Sequence, residues 1–264
     1  MKALQKYFKK RKSAVTFLLE QQQESFTADT FHMLRLELKK LKALFDLINS
    51  CSKNFKQKKI VKPFQHIFFQ AGKIRELQVE EALLEEHFGS DFVIQYKNDL
   101  KKIVVEETKN FFLTTTPSFA EKLQKKYIKI NAVLRKVNKK RTNRYMGKKR
   151  TEIEKLLHKK GLKNKQMHAL RKRLKEYQFN QKIFNCTYKN KLLPDKNALP
   201  ELLGEWHDYQ MVIQHLKKAV KSGEIIPEEN NEIKNGIKTF TSASELLFIA
   251  INTTLKNMLQ KSAK

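Results

Sequence analysis

Residues 31–45 read FHMLRLELKKLKALF and residues 167–179 read MHALRKRLKEYQF, so His, Arg and Lys recur at identical offsets in two distant places. On a helix that advances about 100° per residue, offsets 0, +3, +7 and +10 fall within an arc of roughly 80°. His32, Arg35, Lys39 and Lys42 therefore share one face, while Leu34, Leu38, Leu41, Phe45 and Ile48 project from the other. Such a helix is anchored by its apolar stripe and presents a row of cations. In the second copy His168, Arg171 and Lys175, with Lys172 at the edge, face away from Leu170, Leu174 and Tyr177, and Arg173 points elsewhere. Basic residues on the wet side of an amphipathic helix need no function, but that reading leaves the duplicated offsets unexplained.

A second pair of blocks follows in the same order. GKIRELQVEEAL from Gly72 aligns with GEWHDYQMVIQHL from Gly204, pairing Arg75 with His207, Glu76 with Asp208 and Gln78 with Gln210. The two matches imply a repeat of about 130 to 136 residues, too long for a solenoid unit and long enough to form a helical bundle by itself. Two bundles facing each other are the natural architecture, with a first helical half at about 1–112 and a second at about 118–264 within one domain. Cys51 and Cys186 fall near the end of the corresponding helix in each half, the pattern of a repeated small buried residue.

The composition agrees with an all-α chain. Apolar residues make up 40% of the 264, against only seven Gly and five Pro, and they recur at intervals of three and four. This spacing predicts helices at roughly 2–23, 30–51, 57–70, 72–88, 91–112, 118–147, 149–160, 165–187, 196–221 and 228–261. Asp29 or Thr30 is the expected N-cap of the second, and Pro117 and Pro227 stand where helices should start. Two cysteines are too few for a disulfide framework. The charged N-terminal MKALQKYFKKRK is not followed by an apolar stretch of signal-peptide length, and the apolar run Leu246 to Ile251 is too short to span a bilayer. A soluble cytoplasmic protein is expected.

Charge narrows the function. Fifty-five Lys and Arg against 27 Asp and Glu give a formal +28, which opposes compaction unless a polyanion neutralises it. The cations are concentrated: residues 131–175 hold 18 of them with only Glu152 and Glu154 as acids, whereas 72–112 is mildly acidic.

In HMLRLELKKLKA, GKIRELQV, HALRKRLK and LGEWHDYQ the sequence resembles the CHAD family, the conserved histidine α-helical domain, over nearly its whole length. The resemblance implies two pseudo-symmetric helical bundles around a basic central cavity that binds inorganic polyphosphate. It nominates His32, Arg35, Lys39, Lys42, His168, Arg171, Lys172 and Lys175 as polyphosphate-binding residues. It also nominates Arg75, which matches the arginine of the family's arginine-aspartate pair. The sequence departs there with Glu76 for aspartate, and later with His207 where asparagine is common.

Polyphosphate carries one charge per unit and no bases, so a mixed row of forked Arg and mobile Lys suits it. No cofactor is needed, other polyanions belong to the same charge class, and polyphosphate granules are the natural location. Glu76 and Asp208 read as carboxylates that orient nearby Arg or Lys, or as simple surface ion pairs. Lys139, Lys140, Arg141 and Arg144 either extend the cationic track or form a solvated face or mobile segment. Protonated His32 and His168 beside phosphate would strengthen binding at mildly acidic pH.

Two alternatives stand beside this reading. Nucleic-acid binding follows from the same charge, although no zinc-finger, RRM or KH signature is present and most of the 18 Phe fall in apolar stripes. A phosphate-processing enzyme using histidine is the other; the sequence has no P-loop, no H-E-x-x-H and no E-x-E-x-K motif. His66, His87, His158 and His215 read as surface or packed histidines.

Overall fold

The computed structural model describes residues 2–53, 55–159, 161–184 and 198–262, and every regular element among them is helical. In chain order the α-helices are α1 (Lys2–Leu19), α2 (Ala28–Cys51), α3 (Gln57–Phe88), α4 (Ile94–Thr114), α5 (Pro117–Leu134), α6 (Lys139–Leu157), α7 (Asn164–Gln181), α8 (Ala198–Ser222) and α9 (Pro227–Ser262). Single 3-10 turns sit at Gln23–Ser25 and Lys182–Phe184. None of these helices is long and apolar enough to cross a membrane.

The expected boundaries needed three corrections, each with a local cause. Thr27, not Asp29 or Thr30, caps α2: its side chain accepts from the Thr30 amide while the Thr30 hydroxyl accepts from the Thr27 amide. Gly72 does not divide 57–70 from 72–88; α3 runs straight through it, and through Pro63. The break expected at Gly147 falls instead at residues 135–138, where Asn138 accepts from the Arg141 amide and starts α6. Pro117 and Pro227 do open α5 and α9.

The chain divides into two compact units, each gathered from three stretches. Unit 1 comprises Met1–Arg75, Glu107–Glu154 and Arg173–Lys189; unit 2 comprises Glu76–Glu106, Lys155–Lys172 and Asn190–Lys264. The boundaries fall inside α3, α4, α6 and α7, so the units follow a different division from the sequence repeat.

Unit 1 is organised on the apolar stripe of α2. Leu34, Leu38, Leu41, Phe45 and Ile48 are all buried, as the periodicity requires. Phe45 meets Phe64 of α3, which meets Tyr127 of α5, which meets Phe8 of α1, at ring separations of 5.2, 5.4 and 5.9 Å. Phe31 packs against Phe26 and Phe111 at 4.6 and 5.3 Å. Aromatic pairs of this geometry contribute about 0.5–1.5 kcal/mol each beyond area burial. Cys51 is buried at the end of α2; Cys186 lies outside the described residues.

Unit 2 is built on α8 and α9, with Tyr209, Val212, Ile213, Leu216, Ile233 and Phe240 packed against Leu84, Val93, Tyr96 and Leu100. Its buried carboxylates are bonded. Glu80 accepts from Tyr96 Oη and pairs with His215 Nδ1, both at 2.7 Å. That bond favours protonated His215 and raises its pKa, so the associated stabilisation is present below the ordinary histidine pKa and is lost as pH rises through the raised value. His87 is likewise packed, 2.6 Å from Tyr209 Oη.

Glu229 accepts from the Gln95 and Tyr96 amides at 2.7 and 2.9 Å, closing the N-terminus of α4 from a position 134 residues away. Beside it Val93 holds a left-handed φ of 47°, a strained conformation for a β-branched residue, with its side chain buried. Glu229→Ala should therefore lower unfolding stability by about 1–2 kcal/mol, and Glu229→Gln, which keeps one acceptor, by less. Urea denaturation checks the order, and equal midpoints for wild type and Glu229→Ala would remove the cap from this account.

Candidate functional site

Charge is distributed very unequally between the units. Unit 1 holds 35 Lys and Arg against 10 Asp and Glu, a net +25; unit 2 holds 20 against 17, a net +3. The positive potential is therefore concentrated on unit 1.

Within unit 1 the structure gathers His32 and Lys39 of α2, Arg75 of α3 and Lys175 of α7. The His32 imidazole is held below the ordinary histidine range, first by partial burial and then by the positive charges of Arg75 and Lys39, with Asp29 pulling the other way and Lys175 adding to the depression. Lys175, which the sequence places in the second cationic row, thus acts on the first histidine.

Arg35 lies between α2 and α3. Its guanidinium covers the Phe68 ring at 4.8 Å and donates to the Phe68 carbonyl at 3.4 Å. It occupies the space that a side chain at position 72 would need: a Cβ there would collide with Arg35 Nη1 and stand 3.3 Å from Cζ. Gly72 is in a helix interior because the arginine passes over it.

Lys42 occupies a different place. It pairs with Asp46 at 2.8 Å and lines a recess with Gln57, Lys58, Val61, Lys62 and Gln65. Of the additional cations, Lys139, Lys140 and Arg144 are exposed, whereas Arg141 also donates to the Cys51 carbonyl at 2.7 Å and closes the C-terminus of α2.

In unit 2, His168 of α7 stands 4.7 Å from the Trp206 ring and 5.0 Å from the His207 ring of α8. Burial lowers the His168 pKa, and Lys172 and Arg171 lower it further. Arg171 is itself pushed down by burial and held up by the Asp208 carboxylate. The Glu76 charge acts on His215. Arg173 does point elsewhere, to Glu152 at 3.7 Å. Among the described residues no three His, Cys, Asp or Glu gather as a metal set.

The aromatic partners were not nominated from sequence. Phe68 carries no signal beyond an apolar position, whereas Trp206, the single tryptophan, lies inside the LGEWHDYQ block and was legible there.

A crystal structure of the CHAD domain from the plant Ricinus communis superposes with a TM-score of 0.71, covering 96% of this chain and 88% of that one at 14% identity. The chain has a CHAD-like fold. PptA from Streptomyces chartreusis shares this CHAD-like fold, with a TM-score of 0.66 over 98% of both chains at 9% identity. No protein-family model matches the sequence, and no curated protein sequence matches it.

Gly72→Ala tests the packing of Arg35. Removing a mid-helix glycine gains roughly 0.5–1 kcal/mol, while displacing the guanidinium from Phe68 forfeits a comparable cation–π contact. The unfolding midpoint should barely move, but the Arg35 Nε–Hε resonance should lose its ring-current shift. A resonance unchanged from wild type would show that the arginine does not depend on Gly72.

Proposed function

We propose that the chain binds inorganic polyphosphate without altering it, through Arg35, Lys39, Arg75 and Lys175 beside His32 in unit 1, and through His168, Arg171 and Lys172 in unit 2. The observation that carries this reading is the convergence of Lys39, Arg75 and Lys175 on one histidine within a unit of net +25. Three helices supply these cations, so the cluster is a product of the fold and not of one amphipathic face. The CHAD-like fold and the sequence resemblance support the same reading. Lys42 extends the track at its far end, with its charge partly satisfied by Asp46. Residence in the cytoplasm beside polyphosphate stores belongs to the same proposal.

A flexible chain of phosphates can follow such a surface because it needs charge and not base recognition. Arg35, held over the Phe68 ring, offers a planar fork, and the lysines provide mobile point charges. Counterions released on binding make the affinity fall with salt.

The test is a titration of long-chain polyphosphate across a salt series, with duplex DNA and single-stranded RNA as competitors. Combined Lys39→Ala, Arg75→Ala and Lys175→Ala should weaken binding at least about 10-fold at physiological salt and reduce the log–log salt slope by about 2, with an unchanged circular-dichroism melt. A folded variant that binds like wild type would remove these residues from the site. Equal competition by nucleic acid would favour a general polyanion binder, and shortening of the polymer during incubation would favour an enzyme.

A further inference from the structure

The internal repeat sets His32 and Arg75 of the first copy against His168 and His207 of the second. Where unit 1 places a permanent cation near its histidine, unit 2 places another imidazole. The His168 and His207 rings are 5.0 Å apart and nearly perpendicular, at 87°.

Lys172 and Arg171 of α7 act electrostatically on His168, and Asp208 of α8 acts on Arg171. On α9, Ser244 accepts from Gln210 of α8, and Asn252 accepts from the Leu162 amide. Protons added to the two imidazoles would bring two further positive charges beside Lys172 and Arg171.

We propose that the His168–His207 pair makes unit 2 a proton-dependent phosphate contact, recruited as pH falls from about 8 to about 5.5, while the contact around His32 is cationic throughout that range. This rests on the polyphosphate reading above. Two imidazoles this close resist joint protonation, because the second proton meets the charge of the first. A phosphate anion beside them removes that opposition and accepts a charge-assisted bond from each ring.

The sign follows from linkage. Binding raises the pKa of the pair, so affinity is lowest above the bound-state value, increases as pH falls between bound and free values, and levels off below the free value. Each unit of rise corresponds to about a 10-fold gain in affinity.

The experiment measures the Kd of the full chain for long-chain polyphosphate at fixed ionic strength at pH 8 and pH 5.5. Long chains keep the titration of the ligand's own ends a small part of the signal. Wild type should bind at least about 10-fold tighter at the lower pH, and His207→Gln should shrink that gain to less than about 3-fold. His207→Arg, which copies Arg75, should bind at pH 8 nearly as wild type does at pH 5.5. A full gain retained in His207→Gln, or no improvement at pH 8 in His207→Arg, overturns the inference. A readout without substitution is the histidine Cε1–H titration of wild type by NMR: polyphosphate should raise the pKa of both rings, and unmoved titrations overturn the inference equally. No polyphosphate binding at either pH would instead remove the proposed function itself.

Discussion

A net charge of +25 confined to one compact unit is the constraint around which the rest of the structure is arranged. Like charges at this density push a fold apart, so unit 1 has to be held by interactions indifferent to charge. The chain of rings from Phe45 through Phe64 and Tyr127 to Phe8 does this, and so does the second cluster of Phe26, Phe31 and Phe111. The scarce carboxylates are placed where they matter most. Glu37, buried on α2, takes Arg11 at 2.8 Å and Lys40 at 2.7 Å, and Glu176 takes Lys149 at 3.0 Å and the Tyr145 hydroxyl. With only 10 acids against 35 bases, such pairs can quiet the interior of the unit but leave its surface strongly positive.

Much of the fold was legible in the sequence, for a specific reason. The helical period places Leu34, Leu38, Leu41, Phe45 and Ile48 on one side of α2, and burial of all five follows directly. Helix ends were less legible because glycine has two opposite uses. Gly89, Gly161 and Gly223 adopt left-handed φ values of 82°, 66° and 74° beyond helix ends, while Gly72 and Gly147 lie inside helices. The residue type is the same in both cases; whether the chain turns there depends on what packs over it, and at Gly72 that is a guanidinium. The capping error at α2 has a similar origin, since Thr27, Asp29 and Thr30 are all competent caps and only the backbone selects among them.

The candidate site was legible one helix at a time and no further. Periodicity identified each cationic row, but it could not reveal that Lys175 bears on His32, because that juxtaposition is made by α7 meeting α2 in unit 1. The second row is accordingly divided: His168, Arg171 and Lys172 lie with α8, and Lys175 lies with α2 and α3. Arg141 shows the converse, a cation in a basic stretch whose guanidinium also serves a helix end. Its partner, the Cys51 carbonyl, is 90 residues away, and nothing in local sequence announces it.

The unequal division of charge also separates the tasks of folding and binding. Unit 2, close to neutral, can rely on the Glu80 and Glu229 networks and its apolar core, and its stability has little to gain from a counter-ion. On the proposed function, an anion bound to unit 1 would offset the repulsion that its few ion pairs leave, and binding would relieve strain in the free fold. Salt then acts in opposite directions on the two states. It screens the repulsion of the free chain and steadies it, yet it weakens the complex by competing for the same cations. Bound polyanion stabilises by mass action, through its concentration relative to Kd, and that gain shrinks as salt raises Kd. On that proposal unit 1 is least self-sufficient at low salt without ligand, the condition in which its affinity would be greatest, and the same excess of cations over carboxylates accounts for both properties.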